Sequence, residues 1–299
     1  MPINYRPARA EDLETADRLV VSTINDLTQK HGFGPMAAPS RPQFQLFSLE
    51  DDPSGLWIAE EGEEIVGFAW SWACDDIWFL AQLFVSSQRQ GSGIGDELIR
   101  RTFAHAEHSR ATAHALITFT FNRVSQGLYI RHHLFPRFPI YLLSSPAETL
   151  SLPQRSLPFE LTPLSSEASD LGDLGRIDLA TLGVSRTKHH GFLMRDGSSQ
   201  AVGLYKSDRC IGYFYVKDGH IGPMAVEETE DVEAAFDAAL AYACRSAAPK
   251  ISAFIPGASG PALRLAIERK MRIALPMLFM SNREFGDWRR YFPRNPGFM

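Results

Sequence analysis

Two kinds of periodicity alternate along this chain. Ile77-Trp78-Phe79-Leu80-Ala81-Gln82-Leu83-Phe84-Val85 is a nearly unbroken apolar run rich in aromatic and β-branched residues, which predicts a buried strand. Directly after it, Ile94, Leu98, Ile99, Phe103 and Ala106 recur at helical spacing, with Asp96, Glu97, Arg100 and Arg101 between them, which predicts an amphipathic helix. Upstream, Leu13, Ala16, Leu19, Val20 and Ile24 follow Arg6–Asp12 as a first helix after a first strand. Leu56–Glu60 and Glu64–Trp72 predict strands about the turn Glu61-Gly62-Glu63. Along the second of these, Val66, Phe68, Trp70 and Trp72 are expected on one face, with Gly67, Ala69, Ser71 and Ala73 on the other, a bulky side and a closely approached side. Leu116–Phe121 predicts a further strand, with a helix after it.

The same order returns in the second half. Leu174, Ile177, Ala180 and Leu182 suggest a helix, and Ala201–Tyr205, Cys210–Val216 and His220–Val226 suggest strands. A helix through Val232, Phe236, Ala239, Leu240 and Ala243, a strand Ile251–Ile255 and a helix through Leu263, Leu265 and Ile267 complete the repeat. Between the halves, serines and prolines from Ser144 to Pro158 break any period. The organisation expected is therefore a domain over residues 1–147, a linker over 148–158 and a second domain over 159–299. A length of 299 residues suits two such domains.

Chemistry concentrates where the long apolar strand meets its helix. Gln90-Gly91-Ser92-Gly93-Ile94-Gly95 places glycines at a helix start, where unpaired N–H groups and the positive end of the helix dipole converge on an anion, most naturally a phosphate. A Walker A loop would need Lys and Ser or Thr after its last glycine, yet Asp96 and Glu97 follow Gly95. A dinucleotide fingerprint from Gly91 or Gly93 would need its third glycine where Asp96 or Leu98 stands. What remains is Gln90-x-x-Gly93-x-Gly95 after a strand ending in Val85, or simply a tight strand-to-helix turn.

This pattern resembles the pyrophosphate loop of the GNAT superfamily of acyl-CoA N-acyltransferases, with Ser87 where the family often has Pro. A second segment resembles the family too: in Asn122-Arg123-Val124-Ser125-Gln126-Gly127-Leu128-Tyr129-Ile130-Arg131-His132-His133-Leu134, Asn122, Leu128 and Tyr129 match, Ser125 replaces a small residue, and His133-Leu134 depart from Gly-Phe. The resemblance covers residues near 1–145. It implies an α/β (α+β) fold class of two tandem GNAT-like domains, each a mixed, mostly antiparallel twisted sheet flanked by helices. It further implies acetyl-CoA as acyl donor, with Phe84 and Val85 offering main-chain groups to the pantetheine arm and thioester. Gln90, Gly91, Ser92, Gly93, Ile94 and Gly95 would hold the pyrophosphate, Asn122 and Ser125 would contact the arm from the other side, and Tyr129 would protonate the departing thiolate.

In the second half Glu227-Glu228-Thr229-Glu230-Asp231 occupies the corresponding helix start, where carboxylates oppose a pyrophosphate. Aligning Asn122 with Ser259 sets Tyr129 against Ala266. The second copy is therefore read as degenerate, with one cofactor site per chain. The general base is not assigned: Asp75 and Asp76 are the nearest acidic residues, but turn carboxylates are commonly solvated turn chemistry. His105 and His108 lack a third ligand and His132 and His133 point in different directions on a helix, so no metal is expected.

Acidic residues number 35 against 30 basic, so no cationic field invites nucleic acid or an anionic membrane. Cys74, Cys210 and Cys244 are far apart in apolar surroundings and read as reduced core residues. No apolar run is long enough for a bilayer and no signal core opens the chain, so a cytoplasmic protein is expected. The segment Gln29–Ser40, with Phe44 and Phe47 behind it, reads either as a lid over the acceptor or as a loop. Trp57, Trp70, Trp72 and Trp78 read as core, with one or two free to wall an acceptor pocket. The tail Trp288–Arg294 reads as packing on its own domain or on the neighbouring subunit of a homodimer. Two functional classes follow: an N-acyltransferase acting on a small-molecule or protein amine, or a non-catalytic acyl-CoA-binding or protein-interaction module on the same fold.

Overall fold

The computed structural model describes residues 2–152, 156–195 and 199–299. Met1, and Pro153 with the 153–155 part of the expected linker, lie outside the described residues. Two compact units result, one of residues 1–135 with 280–283, the other of residues 136–279 with 284–299.

The first unit runs β1 (Ile3–Pro7), α1 (Leu13–Lys30), α2 (Gln43–Asp51), β2 (Leu56–Glu61), β3 (Glu64–Cys74), β4 (Ile77–Val85), α3 (Ile94–Ser109), β5 (Ala113–Phe119) and α4 (Arg123–Arg131). Strands β1 to β4 are antiparallel neighbours and β5 lies parallel to β4. The apolar run 77–85 is β4 without a shift in either end. Helix α3 lays Ile94 and Leu98 onto Ala59, Val66 and Ala69 of the sheet. Gly67 permits this approach: a Cβ there would stand 3.0 Å from both Ile94 Cγ2 and Leu98 Cδ1.

Val66 corrects the expected faces of β3. The register with β2 shifts between Ala59 and Glu60, whose partners are Gly67 and Ile65, so Val66 is an extra residue and packs with Ala69 toward α3 rather than with Phe68. A bulge places two successive residues against one partner and breaks strict alternation, which a period-2 reading assumes.

The unit also contains residues 280–283. Asn282 N donates to His114 O at 3.0 Å and Asn282 Oδ1 accepts from His114 N at 2.8 Å, while Arg283 pairs with Asp76. Helix α2 was not expected from the sequence. Its nine residues follow a Gly/Pro-rich stretch, and Phe44 packs edge-on against Trp70 with ring centroids 5.1 Å apart.

The second unit comprises β6 (Phe135–Pro146), β7 (Glu160–Pro163), α5 (Ala168–Leu182), α6 (Thr187–Arg195), β8 (Gln200–Lys206), β9 (Arg209–Lys217), β10 (His220–Val226), α7 (Val232–Ala243), β11 (Lys250–Pro256), α8 (Gly260–Glu268), β12 (Arg272–Ser281) and β13 (Tyr291–Phe292). Its strands follow the order β12-β6-β11-β10-β9-β8-β7, with β13 on β10. From Pro136 onward β6 belongs here, antiparallel to β11 from Ile140↔Pro256 to Pro146↔Lys250. The contacts thus divide the chain before β6, which the expected 1–147 domain would keep with the first half. Phe214, Met224, Phe236, Leu265 and Phe292 belong to one buried cluster.

Between helices and sheet of this unit lies a wholly buried polar group. Asp178 accepts from Arg186 Nε and from His190 Nε2, each at 2.9 Å, and from the Tyr213 hydroxyl. His190 Nδ1 meets the Tyr215 hydroxyl at 2.9 Å. Burial by itself would raise the Asp178 pKa, but Arg186 and His190 outweigh it and hold the carboxyl at about 2. Sequence periodicity carries no trace of this cluster, because α5, α6 and β9 meet only in the folded unit.

Candidate active site

The first unit's sheet opens beside the glycine loop, and a bulge marks where. Strand β4 pairs with β5 from Ile77↔Ala113 to Leu80↔Leu116. On its other edge, Leu80 faces Ser71 and Gln82 faces Trp70, so Ala81 is the extra residue in β4. A bulge bends its strand. From there to Val85, β4 keeps β3 alone as its partner among the described pairs, through Leu83↔Ala69, Phe84↔Phe68 and Val85↔Gly67. Gln82, Leu83, Phe84 and Val85 are correspondingly half-buried.

The loop that follows is braced from beneath. Ser86 N donates to Val66 O at 2.9 Å, Ser87 Oγ donates to Asp26 at 2.7 Å, and Arg89 pairs with Glu61 at 2.7 Å. Gln90 Nε2 reaches back to the Val85 carbonyl at 3.3 Å. Gly91 and Gly93 adopt φ of +80° and +87°, in the left-handed region where a side chain would be strained. Gly93 is the N-cap of α3 and no side chain caps that end. Ile94 is buried as an anchor while Gly91, Ser92 and Gly93 are exposed. An exposed helix start with glycine backbone and no side-chain cap is a set of N–H donors suited to phosphate oxygens. The carboxylates just behind are engaged: Asp96 with His132 at 3.0 Å and Arg100 at 3.1 Å, Glu97 with Arg100 at 2.6 Å and Arg101 at 2.9 Å. The His132 bond, ahead of a smaller opposing effect of burial, lowers the Asp96 pKa.

Helix α4 brings the second set of residues to the same place. A Cβ on Gly95 would lie 3.4 Å from Leu128 Cδ2, so α4 rests against the first turn of α3. Asn122 is the N-cap of α4: its Oδ1 accepts from Ser125 N at 3.2 Å and its Nδ2 donates to Ser125 Oγ at 2.8 Å. Ser125 stands one helical turn before Tyr129, on the same face of α4. Tyr129 is 6% exposed, and burial pushes its pKa well up, partly offset by the nearby Ser125 hydroxyl. The structure therefore brings Val85, Gln90–Gly95 and the Asn122–Ser125–Tyr129 line to one end of the sheet. His133, where the family has Gly, takes φ of +62° and so adopts the left-handed turn without the residue that suits it best.

Asp75 and Asp76 are not part of this group. They precede β4, whose nine residues span roughly 30 Å, and Asp76 binds Thr112 N at 2.9 Å and Arg283. A Ser71–His105–Asp52 line, with Ser71 Oγ 2.8 Å from His105 Nδ1 and Asp52 2.9 Å from Nε2, has the residue types of a nucleophilic triad. Ser71 is wholly buried, and a Cβ on Gly55 would meet the Ser71 carbonyl at 2.2 Å, so this line braces the β2–β3 corner against α3 and leaves no room for a substrate.

The sequence reading missed the bulge at Ala81 and the part α2 plays. A small residue followed by polar Gln82 inside an otherwise bulky run was the available signal. Gln45 of α2 reaches Gln82 at 3.4 Å, and Phe44 covers Trp70, whose indole N–H is buried without a partner among the described residues. The Gln29–Ser40 segment is fastened: Asn25 Oδ1 accepts from Met36 N and Ala37 N at 2.8 Å each, and Phe33 stacks on Phe121 at 4.9 Å.

A mixed sheet that opens after its fourth strand, with a glycine helix start at the opening, defines an acyltransferase-type α/β domain. Residues 22–133 match the Acetyltransferase (GNAT) family, and the first unit is a GNAT domain. Among solved structures, a Pyrococcus horikoshii protein classed as an acetyltransferase matches with TM-score 0.76 at 18% identity, over 97% of this chain and 92% of that one. A GCN5-related N-acetyltransferase from Sphaerobacter thermophilus matches with TM-score 0.66 at 14% identity, over 95% and 97%. A tandem GNAT protein from the clavulanic acid biosynthesis pathway matches with TM-score 0.63 at 14% identity, over 94% and 98%. At these identities the likeness is one of fold, and the fold is the tandem GNAT form. No curated protein matches the chain. Among the described residues no helix is long and apolar enough to cross a membrane, and no group of His, Cys, Asp or Glu could hold a metal ion.

Proposed function

We propose that the first unit transfers an acyl group, most simply acetyl, from acyl-CoA to a primary amine of a small molecule or a protein. The observation that carries this reading is the opening of β4 from β5 beside an uncapped glycine helix start, with the Asn122–Ser125–Tyr129 line against it. The residues present suit acyl-CoA. The backbone of Gln90 to Gly95 offers donors for a pyrophosphate, and the edge of β4 around Phe84 and Val85, which has left β5, offers main-chain groups to an extended amide-bearing arm. Asn122 and Ser125 flank that arm from α4.

When bound, acyl-CoA supplies the activated thioester carbonyl. This chain's residues orient that carbonyl along β4, where a main-chain N–H stabilises charge developing on its oxygen. Tyr129, protonated at neutral pH as a phenol is and made a weaker acid by its burial, carries the proton that the departing sulfur needs. Ser125 places a hydroxyl one helical turn before the phenol on α4. No side chain is assigned as base; an amine arriving unprotonated, or through water, needs none.

The test is release of free CoA thiol from acetyl-CoA across a panel of amines. Amine-dependent release supports the reading. Tight CoA binding with no release on any amine would favour a non-catalytic acyl-CoA binder, and no CoA binding would remove both.

A further inference from the structure

The second unit's sheet opens where the first unit's does, and the chain itself fills the opening. Among the described residues, strand β10 pairs with β11 at His220↔Ser252 and Ile221↔Ala253 and no further. Past an irregularity between Ile221 and Met224, the edge of β10 that has left β11 is taken by β13, antiparallel, with Met224 opposite Phe292 and Ala225 opposite Tyr291. Val226 N extends the ladder by donating to Arg290 O at 3.1 Å, and β13 lies against β11 on its other side.

The groups around this strand repeat the first unit's plan with a peptide in place of a ligand. Ser259 is the N-cap of α8 as Asn122 is of α4, and its Oγ donates to the Arg289 carbonyl at 2.8 Å. At the far end His220 Nε2 donates to the Arg294 carbonyl at 2.5 Å, and Arg294 Nη1 donates to Gly222 O at 3.3 Å. Gly222, at φ +140°, makes room: a Cβ there would lie 2.8 Å from the Pro293 carbonyl. Tyr291 and Phe292 are wholly buried, and Phe292 sets its ring edge-on to Phe236 of α7 at 5.6 Å. At the start of α7, Glu227 is taken by Arg176 and Arg209, and Asp231 by Lys206.

We infer that residues 289–294 are a built-in substitute for the acyl-CoA arm: they complete the second unit's sheet and close its groove to any acyl-CoA. The comparison rests on the function proposed for the first unit, but the strand's own role does not. An extended backbone is chemically the same partner for the β10 edge as a pantetheine amide, and a covalently attached one is present at all times without loss of translational freedom. Carboxylates at the α7 start can then be tolerated, since no phosphate has to be held there.

Hydrogen–deuterium exchange on the full chain, with and without CoA, tests this, together with the stoichiometry from isothermal titration. The Val226 amide is expected to be protected by orders of magnitude without CoA and unchanged by it, with CoA-dependent protection confined to residues 83–95 and 122–129 and one CoA bound per chain. Gly222→Val should speed exchange at 224–226 and 290–292. Rapid exchange at Val226 in the free protein, CoA-dependent change at 222–226 or 289–294, or two CoA per chain would overturn the inference. Protection at Val226 with no CoA effect at 83–95 would support the strand's role and sink the function proposed for the first unit.

Discussion

Gly95 lies under Leu128, close enough that an added Cβ would stand 3.4 Å from the leucine Cδ2. That contact sets the first turn of α3 against α4 and so puts Tyr129, the next residue along, on the same end of the sheet as the phosphate-type loop. Replacing Tyr129 with Phe is expected to lower turnover about 100- to 10,000-fold while changing CoA affinity little, because the ring's packing is kept. Ser125→Ala, which removes the hydroxyl that Asn122 Nδ2 bonds at 2.8 Å, should lower turnover less than Tyr129→Phe does. Steady-state kinetics with titration of CoA reads both.

The loop glycines make a separate prediction. Gly93 has φ of +87° with open space around its Cβ position, so Gly93→Val meets no clash but does meet backbone strain of about 1–2 kcal/mol. Relief of that strain turns the helix's first N–H groups away. Losing one hydrogen bond to a charged phosphate, roughly 1.5–3 kcal/mol, weakens CoA binding by at least about tenfold. Calorimetric titration of the variant checks this.

Gly67→Val acts on stability instead. Its Cβ would stand 3.0 Å from Ile94 and Leu98, both deep in the first unit's core. Overpacking of this kind costs about 1–3 kcal/mol, seen as a lower denaturant midpoint.

Asp178→Asn leaves Arg186 buried without its countercharge, since Asp178 supplies that charge at 2.9 Å. Breaking a buried pair on one side costs about 3–5 kcal/mol. Chemical denaturation should show the second unit unfolding at distinctly lower denaturant than in the unaltered chain.

The pH dependence of stability follows from His220. Burial lowers its pKa to about 4, and its Nε2 must keep the proton it donates to the Arg294 carbonyl while Nδ1 accepts from Ser252. The unfolded chain binds a proton at about 6.5, so between the two values the unfolded state holds more protons than the folded one. The contribution is thus complete above about pH 6.5 and is lost as pH falls toward 4. His189 and His190, lowered chiefly by burial, act in the same direction. Denaturation measured from pH 4.5 to 7.5 should show stability rising with pH, and His220→Asn should flatten that slope.

Much was legible locally. A continuous apolar run gave β4 and the glycines after it gave a helix start, because each depends on residues a few positions apart; the Asn122–Leu134 segment was legible by its family resemblance, and the structure adds that Asn122 is the N-cap of α4. The repeated order of elements gave the tandem plan. Some elements escaped: β7 has only four residues, and the ten-residue β12 carries Pro276 within its run.

Tertiary structure decided what depends on partners far along the chain. One extra residue at Ala81 opens β4 from β5, yet a bulge exists only relative to the neighbouring strand that fails to match it. Asp178, Arg186, His190 and Tyr213 look like scattered polar residues until α5, α6 and β9 enclose them. The aromatics of the tail read equally as packing on their own domain or on a neighbour. The pairing of Tyr291 and Phe292 with β10 seats them in their own unit, in the groove whose counterpart in the first unit is open. On the function proposed, local chemistry marks the helix start at which an acyl donor's phosphates are held. Long-range strand pairing leaves the end of β4 clear of β5 and covers the matching edge of β10 with β13.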